Sequence, residues 1–331
     1  MKFTLIVCTY MRSSALLNLL NSVKLQTVYP SQIIIVDGST TTETKEIIHK
    51  NLFENLDYFL VDNENRGLTK QRNFGISKVA SDSEVVCFLD DDTILNKDYF
   101  KEIIATYYLY PEAKGVGGHI INESIWQKAD ENYVNKLSEF YYDGWYIKDS
   151  TRFVLRKLLG LDSDKNPGYM PEYSHGRGIG FLPPSGKIYE VEQFKGGVSS
   201  FRNTVFNDFK FSTFFEGYGL YEDADFTLRV SKSGKLFVNT RAQLSHFHDS
   251  CGRPNKYLYG KMVVKNGWYV WRVKYFNPSL KARMKWNLIT LLLSVVLLSS
   301  IFKSNKKLEV IQEFFGRICA WFSLIIRKNE I

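Results

Sequence analysis

The chain has 331 residues, of which 44% are hydrophobic and 15% aromatic, and this composition excludes an intrinsically disordered protein. The formal net charge is +8, and most of the excess follows residue 275, so we do not expect a nucleic-acid-binding protein with a basic face. The four cysteines include no Cys-x-x-Cys pair, which favours a reducing compartment, and we recognise no signal peptide.

Up to about residue 110, short apolar runs alternate with segments of helical periodicity. The predicted strands cover residues 3–8, 32–36, 56–61 and 85–89. The predicted helices cover residues 13–26, 42–51, 68–79 and 98–109. Because strands alternate with helices, this pattern predicts an α/β protein with a parallel, doubly wound sheet.

The regular alternation stops near residue 119. Residues 119–190 are rich in Tyr, Trp and Gly, and we predict an insertion with helices at about 130–142 and 151–160. Long irregular stretches of this kind are often active-site loops. Regular elements return at residues 196–202 and 221–233.

Three consecutive aspartates, Asp90, Asp91 and Asp92, end the last of the four predicted strands. Carboxylates this close repel one another unless a cation or a proton lies among them. The carboxyl ends of strands in open α/β sheets are also where ligands bind. We therefore favour Mg²⁺ or Mn²⁺ with a polyphosphate on its other side. The alternative is a solvated acidic turn with Asp92 or Thr93 as a helix N-cap.

Four further motifs occur along the chain, three before the aspartates and one after them. They are Cys8-Thr9-Tyr10, Val36-Asp37-Gly38-Ser39, Asn65-Arg66-Gly67 with Arg72-Asn73, and Glu222-Asp223 with Asp225 and Arg229. Together with the three aspartates, this ordered set closely resembles glycosyltransferase family 2, which comprises inverting enzymes with the GT-A fold. The resemblance covers about residues 3–250 and is poor over 119–190. It implies a Rossmann-like, mostly parallel sheet flanked by helices.

The resemblance also implies a role for individual side chains. Asp37 would contact the nucleobase, Asp90 the ribose or sugar, and Asp92 the metal ion. The residues implied to bind the nucleotide sugar are Thr9, Tyr10, Asp37, Arg66, Arg72, Asp90, Asp91 and Gly197.

A second acidic cluster is expected on chemical grounds. Inversion needs a base that takes the proton of the acceptor hydroxyl, opposite the leaving diphosphate, whereas the metal must lie beside that diphosphate. Glu222 and Asp223 supply the second cluster, and the family pattern makes Asp223 the base. The alternative is that these carboxylates only offset the dipole of a helix N-terminus.

A histidine often serves as a further metal ligand in this family. His246 and His248 alternate along a predicted strand, which places both on one face. We choose His246 as the ligand and keep His248 as the alternative. Arg253, in the following loop, could touch phosphate or acceptor.

The end of the chain is basic and apolar. Residues 286–302 form an uncharged run slightly shorter than the roughly 20 residues needed to cross a bilayer, and residues 308–326 form an amphipathic helix. Flanking Lys and Arg favour a helical hairpin that lies in a membrane interface, as a peripheral or monotopic anchor. The alternative is a hairpin packed on the main domain or on another subunit, through which the protein could form oligomers.

The sequence therefore predicts an inverting, metal-dependent glycosyltransferase at the cytoplasmic face of the cell membrane. It would move a sugar from a UDP-sugar, or a dTDP-sugar, to a hydroxyl of a saccharide or lipid-linked saccharide in surface-polysaccharide synthesis. The predicted regions are a nucleotide-sugar-binding half (1–118), the insertion (119–190), an acceptor-binding and catalytic half (191–275) and the helical tail (276–331). The alternatives are a non-catalytic nucleotide-sugar-binding scaffold and a nucleotidyltransferase. The latter usually has a glycine-rich loop after the first strand, and this chain has no glycine there.

Overall fold

The structure, a computed structural model, describes residues 1–215, 217–248 and 254–326. The strands in these residues are β1 Phe3–Thr9, β2 Gln32–Asp37, β3 Leu56–Leu60, β4 Val85–Asp90, β5 Thr93–Leu95, β6 Ala113–Ile120, β7 Gln127–Lys128, β8 Glu139–Tyr142, β9 Trp145–Lys148, β10 Ile188–Val191, β11 Val198–Arg202 and β12 Lys235–His246. The α-helices in the same residues are α1 Ser13–Lys24, α2 Glu43–Asn51, α3 Leu68–Ile76, α4 Tyr99–Leu109, α5 Thr151–Leu158, α6 Glu222–Ser231, α7 Lys256–Lys274, α8 Leu280–Ser299 and α9 Lys307–Ile326.

The chain forms two compact units. The first contains the described residues of 1–126 and 178–252, and the second contains those of 127–177 and 253–331. A nine-stranded mixed sheet with α1–α4 and α6 belongs to the first unit, and a three-stranded sheet with α5 and α7–α9 belongs to the second.

The large sheet has the order β10-β12-β6-β11-β4-β1-β2-β3, with β5 paired to β12. The run β4-β1-β2-β3 is parallel, and its neighbour β11 is antiparallel to β4. In β1, β2 and β4 nearly every side chain is buried, as expected for strands covered on both faces. All eight elements predicted up to residue 110 are therefore confirmed, as is the α/β class.

One edge of this sheet collects the ends of several strands. In register, Thr9 pairs with Asp37, and Cys8 pairs with Asp90. Because β11 runs antiparallel to β4, its first residue Val198 lies beside Leu89 at the same edge. Parallel strand order thus brings residues far apart in sequence to one place, where ligands bind in sheets of this type.

One expectation about the middle of the chain is wrong. The predicted helix at 130–142 is absent, because β8 and β9 form an antiparallel hairpin there. Asp143 and Gly144 make its two-residue turn, with φ of 50° and 80°, the conformation that Asp-Gly hairpin turns favour. The ring of Tyr133 stacks on the ring of Tyr146 at a centroid distance of 4.5 Å and adds to the packing of the sheet. The predicted helix at 151–160 is confirmed as α5.

Strand β6 was not predicted, and its glycines explain why. The sequence Ala113–Ile120 contains three glycines, which weaken a strand pattern. In the structure, added Cβ atoms at Gly115 and Gly118 would collide with the rings of Phe201 and Tyr99 respectively. The glycines therefore let large aromatic side chains pack directly on the strand.

In the second unit, α7 and α9 pack at very close range. A Cβ atom on Gly260 would collide with the α9 backbone, and one on Gly316 would collide with the α7 backbone. Helix α8 joins this pair through Trp286, whose ring stacks on Trp271 at 5.4 Å. The predicted helical tail is thus present as α8 and α9.

Candidate active site

Asp90, Asp92 and His246 meet at the carboxyl edge of the large sheet. Asp90 ends β4, Asp92 lies in the turn to β5, and His246 ends β12. Because β5 pairs with β12, the backbone of Thr93 lies beside His246. One potential ligand atom from each of the three side chains lies within 4.8 Å of the others, and His246 Nε2 is 3.0 Å from Asp92 Oδ1. The two predicted metal ligands, Asp92 and His246, are therefore brought together, and Asp90, predicted to contact the ribose or sugar, lies beside them.

His246 is held by a second carboxylate on its other side. Its Nδ1 lies 3.2 Å from Glu123 Oε1, and His248 Nε2 lies 3.0 Å from the same oxygen. Lys195 forms an ion pair with the other oxygen of Glu123. Burial lowers the pKa of His246, but the hydrogen bonds to Asp92 and Glu123 outweigh burial and raise the pKa to about 9. The strand predicted to carry both histidines ends at His246, so His248 lies beyond it.

The side chain of Asp91 contacts Thr9 and Arg12, and Arg12 Nη1 also lies 3.7 Å from Asp92 Oδ2. Thr9 Oγ1 donates to Asp91 Oδ2 at 2.7 Å, and Arg12 Nη1 donates to Asp91 Oδ1 at 3.0 Å. Burial raises the pKa of Asp91 to about 7 against the opposing effects of Arg12 and Thr9. Thr9 and Asp91 thus form a hydrogen bond with each other. That either side chain contacts a nucleotide stays a prediction. No sequence motif indicated the contact of Arg12 with this turn.

Asp37 is fully buried at the end of β2. Its carboxylate accepts hydrogen bonds from the Ser39 amide and the Tyr58 hydroxyl, both at 2.8 Å. Arg66 Nε donates to the carbonyl of the adjacent Gly38 at 2.7 Å, and Tyr10 is 39% exposed. The predicted base-pocket residues therefore cluster at this edge, with Tyr58 as a partner that the sequence did not indicate. That they contact a base stays a prediction.

The second acidic cluster lies at the N-terminus of α6. Asp223 accepts hydrogen bonds from the backbone amides of Gly196 at 3.1 Å and Ala224 at 2.7 Å. Burial raises the pKa of Asp223 despite these two donors, and the charge of Asp90 adds to the effect. A carboxylate with a raised pKa is a stronger base, which suits the predicted role.

Arg72 connects the two acidic clusters. Its guanidinium, 3% exposed, forms an ion pair with Glu222 Oε1 and lies 3.5 Å from Asp90 Oδ1. Glu222 Oε2 is buried without a hydrogen-bond partner among the described residues. In this arrangement Arg72 fixes the side chains of Glu222 and Asp90. Its predicted contact with the base or pyrophosphate stays a prediction.

Gly196 and Gly197 make room for these groups. An added Cβ atom at Gly197 would overlap the carboxylate of Asp90, and one at Gly196 would overlap Arg72 and Glu222. The close approach requires glycine at both positions. Gly197, predicted to line the sugar pocket, thus lies against Asp90, which was predicted to contact the ribose or sugar. Arg253 lies outside the described residues.

The donor set of Asp90, Asp92 and His246 fits a divalent cation. Two carboxylates and one imidazole suit Mn²⁺, and Mg²⁺ prefers oxygen ligands alone. The absence of side chains at Gly196 and Gly197 lets Asp90, Arg72 and Glu222 lie directly against this backbone.

Comparison with known proteins identifies the domain. Residues 4–155 match the model of the family described as "Glycosyl transferase family 2". These residues belong to glycosyltransferase family 2. The family predicted from the motifs is confirmed for this part of the chain.

Two curated relatives of this part of the chain are sugar transferases by name. The O-antigen chain rhamnosyltransferase RfbN of Salmonella typhimurium is 33% identical over 109 residues, 33% of each chain. The glucosyl-dolichyl phosphate glucuronosyltransferase of Haloferax volcanii is 28% identical over 39% of this chain and 42% of its own length. The chain thus spans well under half the length of these relatives.

Among solved structures, the crystal structure of GalNAc-T7 with UDP, GalNAc and Mn²⁺ has a TM-score of 0.53 at 15% identity. The match covers 82% of this chain and 50% of GalNAc-T7. At this identity the likeness concerns the fold alone, and it agrees with the predicted GT-A fold.

Proposed function

We propose that this protein is an inverting, metal-dependent glycosyltransferase that moves a sugar from a nucleoside-diphosphate sugar to a hydroxyl group. One observation carries the proposal. Two acidic clusters lie at the carboxyl edge of the sheet, one a divalent-cation donor set and the other a carboxylate of raised pKa, and Arg72 joins them. Inverting sugar transfer needs these two groups on opposite sides of the reacting carbon.

Asp90, Asp92 and His246 would hold the cation, and its imidazole ligand favours Mn²⁺ over Mg²⁺. When bound, the cation supplies a positive charge beside the leaving diphosphate. The nucleoside would lie near Asp37 and Tyr10, with Arg66 at the start of α3 available to a phosphate. UDP is favoured as the nucleotide of the donor, and dTDP is the other candidate.

Asp223 would act as the general base. Its carboxylate takes the proton of the acceptor hydroxyl while the acceptor oxygen forms a bond to the anomeric carbon. The bond from that carbon to the diphosphate breaks, and the diphosphate leaves with the electron pair. The amides of Gly196 and Ala224 hold the carboxylate in one orientation. The ion pair between Glu222 and Arg72 holds the neighbouring side chains in place. Glu222 would therefore position the catalytic residue, since its own carboxylate is directed at Arg72.

The acceptor is proposed to be a saccharide, free or linked to a lipid, at the cytoplasmic face of a membrane. Support comes from the second unit, whose helices α8 and α9 leave many large apolar side chains exposed. The exposed apolar residues of α8 and α9 are Leu280, Met284, Leu288, Val295, Leu308, Phe315, Phe322, Ile325 and Ile326.

Exposed apolar side chains in this number match contact with lipid. By length and composition, the segment Leu280–Phe302 could cross a membrane, and 22% of its most apolar window is buried. Lys303, Lys306 and Lys307 follow it and could contact anionic headgroups.

The membrane proposal is tested by co-sedimentation with vesicles that contain anionic lipid. Leu288→Asp combined with Phe315→Asp should greatly reduce binding, and Ile125→Asp, at an exposed position of the other unit, should not. Equal binding of all three proteins would contradict lipid contact by these helices.

The activity is tested by a donor screen. Purified protein would be incubated with Mn²⁺ and a panel of UDP-, dTDP- and GDP-sugars, and released nucleoside diphosphate would be counted. We expect release from one donor and none from Asp92→Ala. Silence across the panel, together with no metal-dependent binding of any nucleotide sugar, would overturn the enzyme proposal.

A further inference from the structure

Glu123 belongs to neither acidic cluster, and no motif indicates it. We propose that Glu123, held by Lys195, is a positioning residue that fixes the ring of His246 and determines which nitrogen that ring offers to the metal. The inference rests on the proposed function, because it concerns the same cation site.

The geometry of the His246 ring is the first argument. Nε2 lies 3.0 Å from Asp92 Oδ1, and Nδ1 lies 3.2 Å from Glu123 Oε1. A ring held at both nitrogens has a single orientation. A histidine that binds a metal through one nitrogen normally keeps a proton on the other and donates it to an acceptor. Since Nε2 faces the donor set, Nδ1 carries the proton that Glu123 accepts.

The residue before Glu123 provides an independent observation. Asn122 Oδ1 accepts a hydrogen bond from the His246 amide at 2.9 Å, and Asn122 Nδ2 donates to the His246 carbonyl at 2.9 Å. Asn122 therefore fixes the backbone of His246, and Glu123 fixes its ring. Two consecutive residues just beyond β6 thus hold one histidine at the end of β12.

Lys195 explains why Glu123 points in this direction. Its ammonium pairs with Glu123 Oε2, so Oε1 is directed to the histidines. Lys195 also precedes Gly196 and Gly197, which border the acidic clusters. One segment therefore places both the glycines and the ammonium group that holds Glu123.

A competing interpretation is that Glu123 itself binds a cation. Potential ligand atoms of Glu123, His246 and His248 also lie within 4.8 Å of one another. A cation there would share His246 with the first set and would lie beside the ammonium of Lys195, which repels it. We therefore assign Glu123 to the support of one metal ion.

The test measures Mn²⁺ binding directly. Mn²⁺ would be titrated into protein saturated with UDP, and free Mn²⁺ would be followed by electron paramagnetic resonance. We expect one Mn²⁺ per chain and an affinity about 10–100-fold lower in Glu123→Ala. Glu123→Gln keeps an oxygen acceptor for Nδ1, so its Mn²⁺ affinity should fall less than that of Glu123→Ala. The control Glu112→Ala removes an exposed glutamate of the same unit and should leave the Mn²⁺ affinity unchanged.

A spectroscopic signal separates positioning from general stability. Spin-echo modulation from the ring nitrogen bound to Mn²⁺ should be present in the wild type and in Glu123→Gln. It should weaken in Glu123→Ala and disappear in His246→Ala, at unchanged thermal unfolding midpoints. Unchanged affinity in Glu123→Ala, or a second Mn²⁺ that this variant loses, would overturn the inference. If Asp92→Ala also left Mn²⁺ binding unchanged, the proposed cation site itself would fail.

Discussion

Replacing Asp223 by Asn removes the proposed base and keeps the shape of the side chain. General base catalysis contributes a factor of about 10²–10⁴, so kcat should fall by that factor, or about 3–5 kcal/mol of barrier. The amide offers only one acceptor to the amides of Gly196 and Ala224, and one unsatisfied donor costs about 1–3 kcal/mol. Loss of a buried charge offsets part of that cost, so the free energy of unfolding should change little.

The assay is sugar transfer or donor hydrolysis at saturating Mn²⁺, with chemical denaturation measured in parallel. Asp225→Asn is the matched control, because Asp225 lies in the same helical turn and pairs with Arg229 instead. This variant should lose stability and keep kcat within about threefold, as expected away from the reacting atoms. Equal losses of kcat in both variants would refute the assignment of Asp223 as the base and favour the helix-dipole interpretation.

Further predictions concern Gly197, the pKa of Asp223 and the contact between α7 and α9. Gly197→Ala would displace the Asp90 carboxylate, and Mn²⁺ affinity measured by titration should fall at least about 10-fold. Because Asp223 must be ionised to act and its pKa is raised, kcat/KM should fall with decreasing pH along a limb centred above pH ~4, the ordinary value of an aspartate. The raised pKa of Asp223 also affects stability. As pH rises from ~4 through this pKa, the free energy of unfolding of the wild type should fall relative to that of Asp223→Asn. Gly316→Leu would force α9 from α7 and should lower the free energy of unfolding by about 1–3 kcal/mol, and an unchanged value would contradict their close packing.

The sequence predicted the parallel half of the sheet well, because strands buried on both faces appear as continuous apolar runs. It failed where local patterns are weak. The glycines of β6 hid a strand whose packing depends on distant rings such as Phe201. The Asp143-Gly144 turn was a local signal for the β8–β9 hairpin, and the preference for a helix there overlooked it.

The sequence likewise indicated some residues of the candidate site and not others. Asp90, Asp92 and Asp223 stand in motifs at the ends of predicted elements, so their types and positions indicated chemistry. Glu123 and Lys195 lie 72 positions apart in irregular segments, and only the folded chain brings them together. Contacts of this kind depend on tertiary structure and leave no periodic pattern.

Asp90, Asp92 and His246 are proposed to form a metal-dependent nucleotide site, which calorimetry of UDP binding can test. UDP would be titrated into the wild type and Asp92→Ala, each with and without Mn²⁺. We expect Mn²⁺ to strengthen UDP binding in the wild type and to have no such effect in Asp92→Ala. UDP binding that is indifferent to Mn²⁺ in the wild type, or equally strengthened in both proteins, would contradict it.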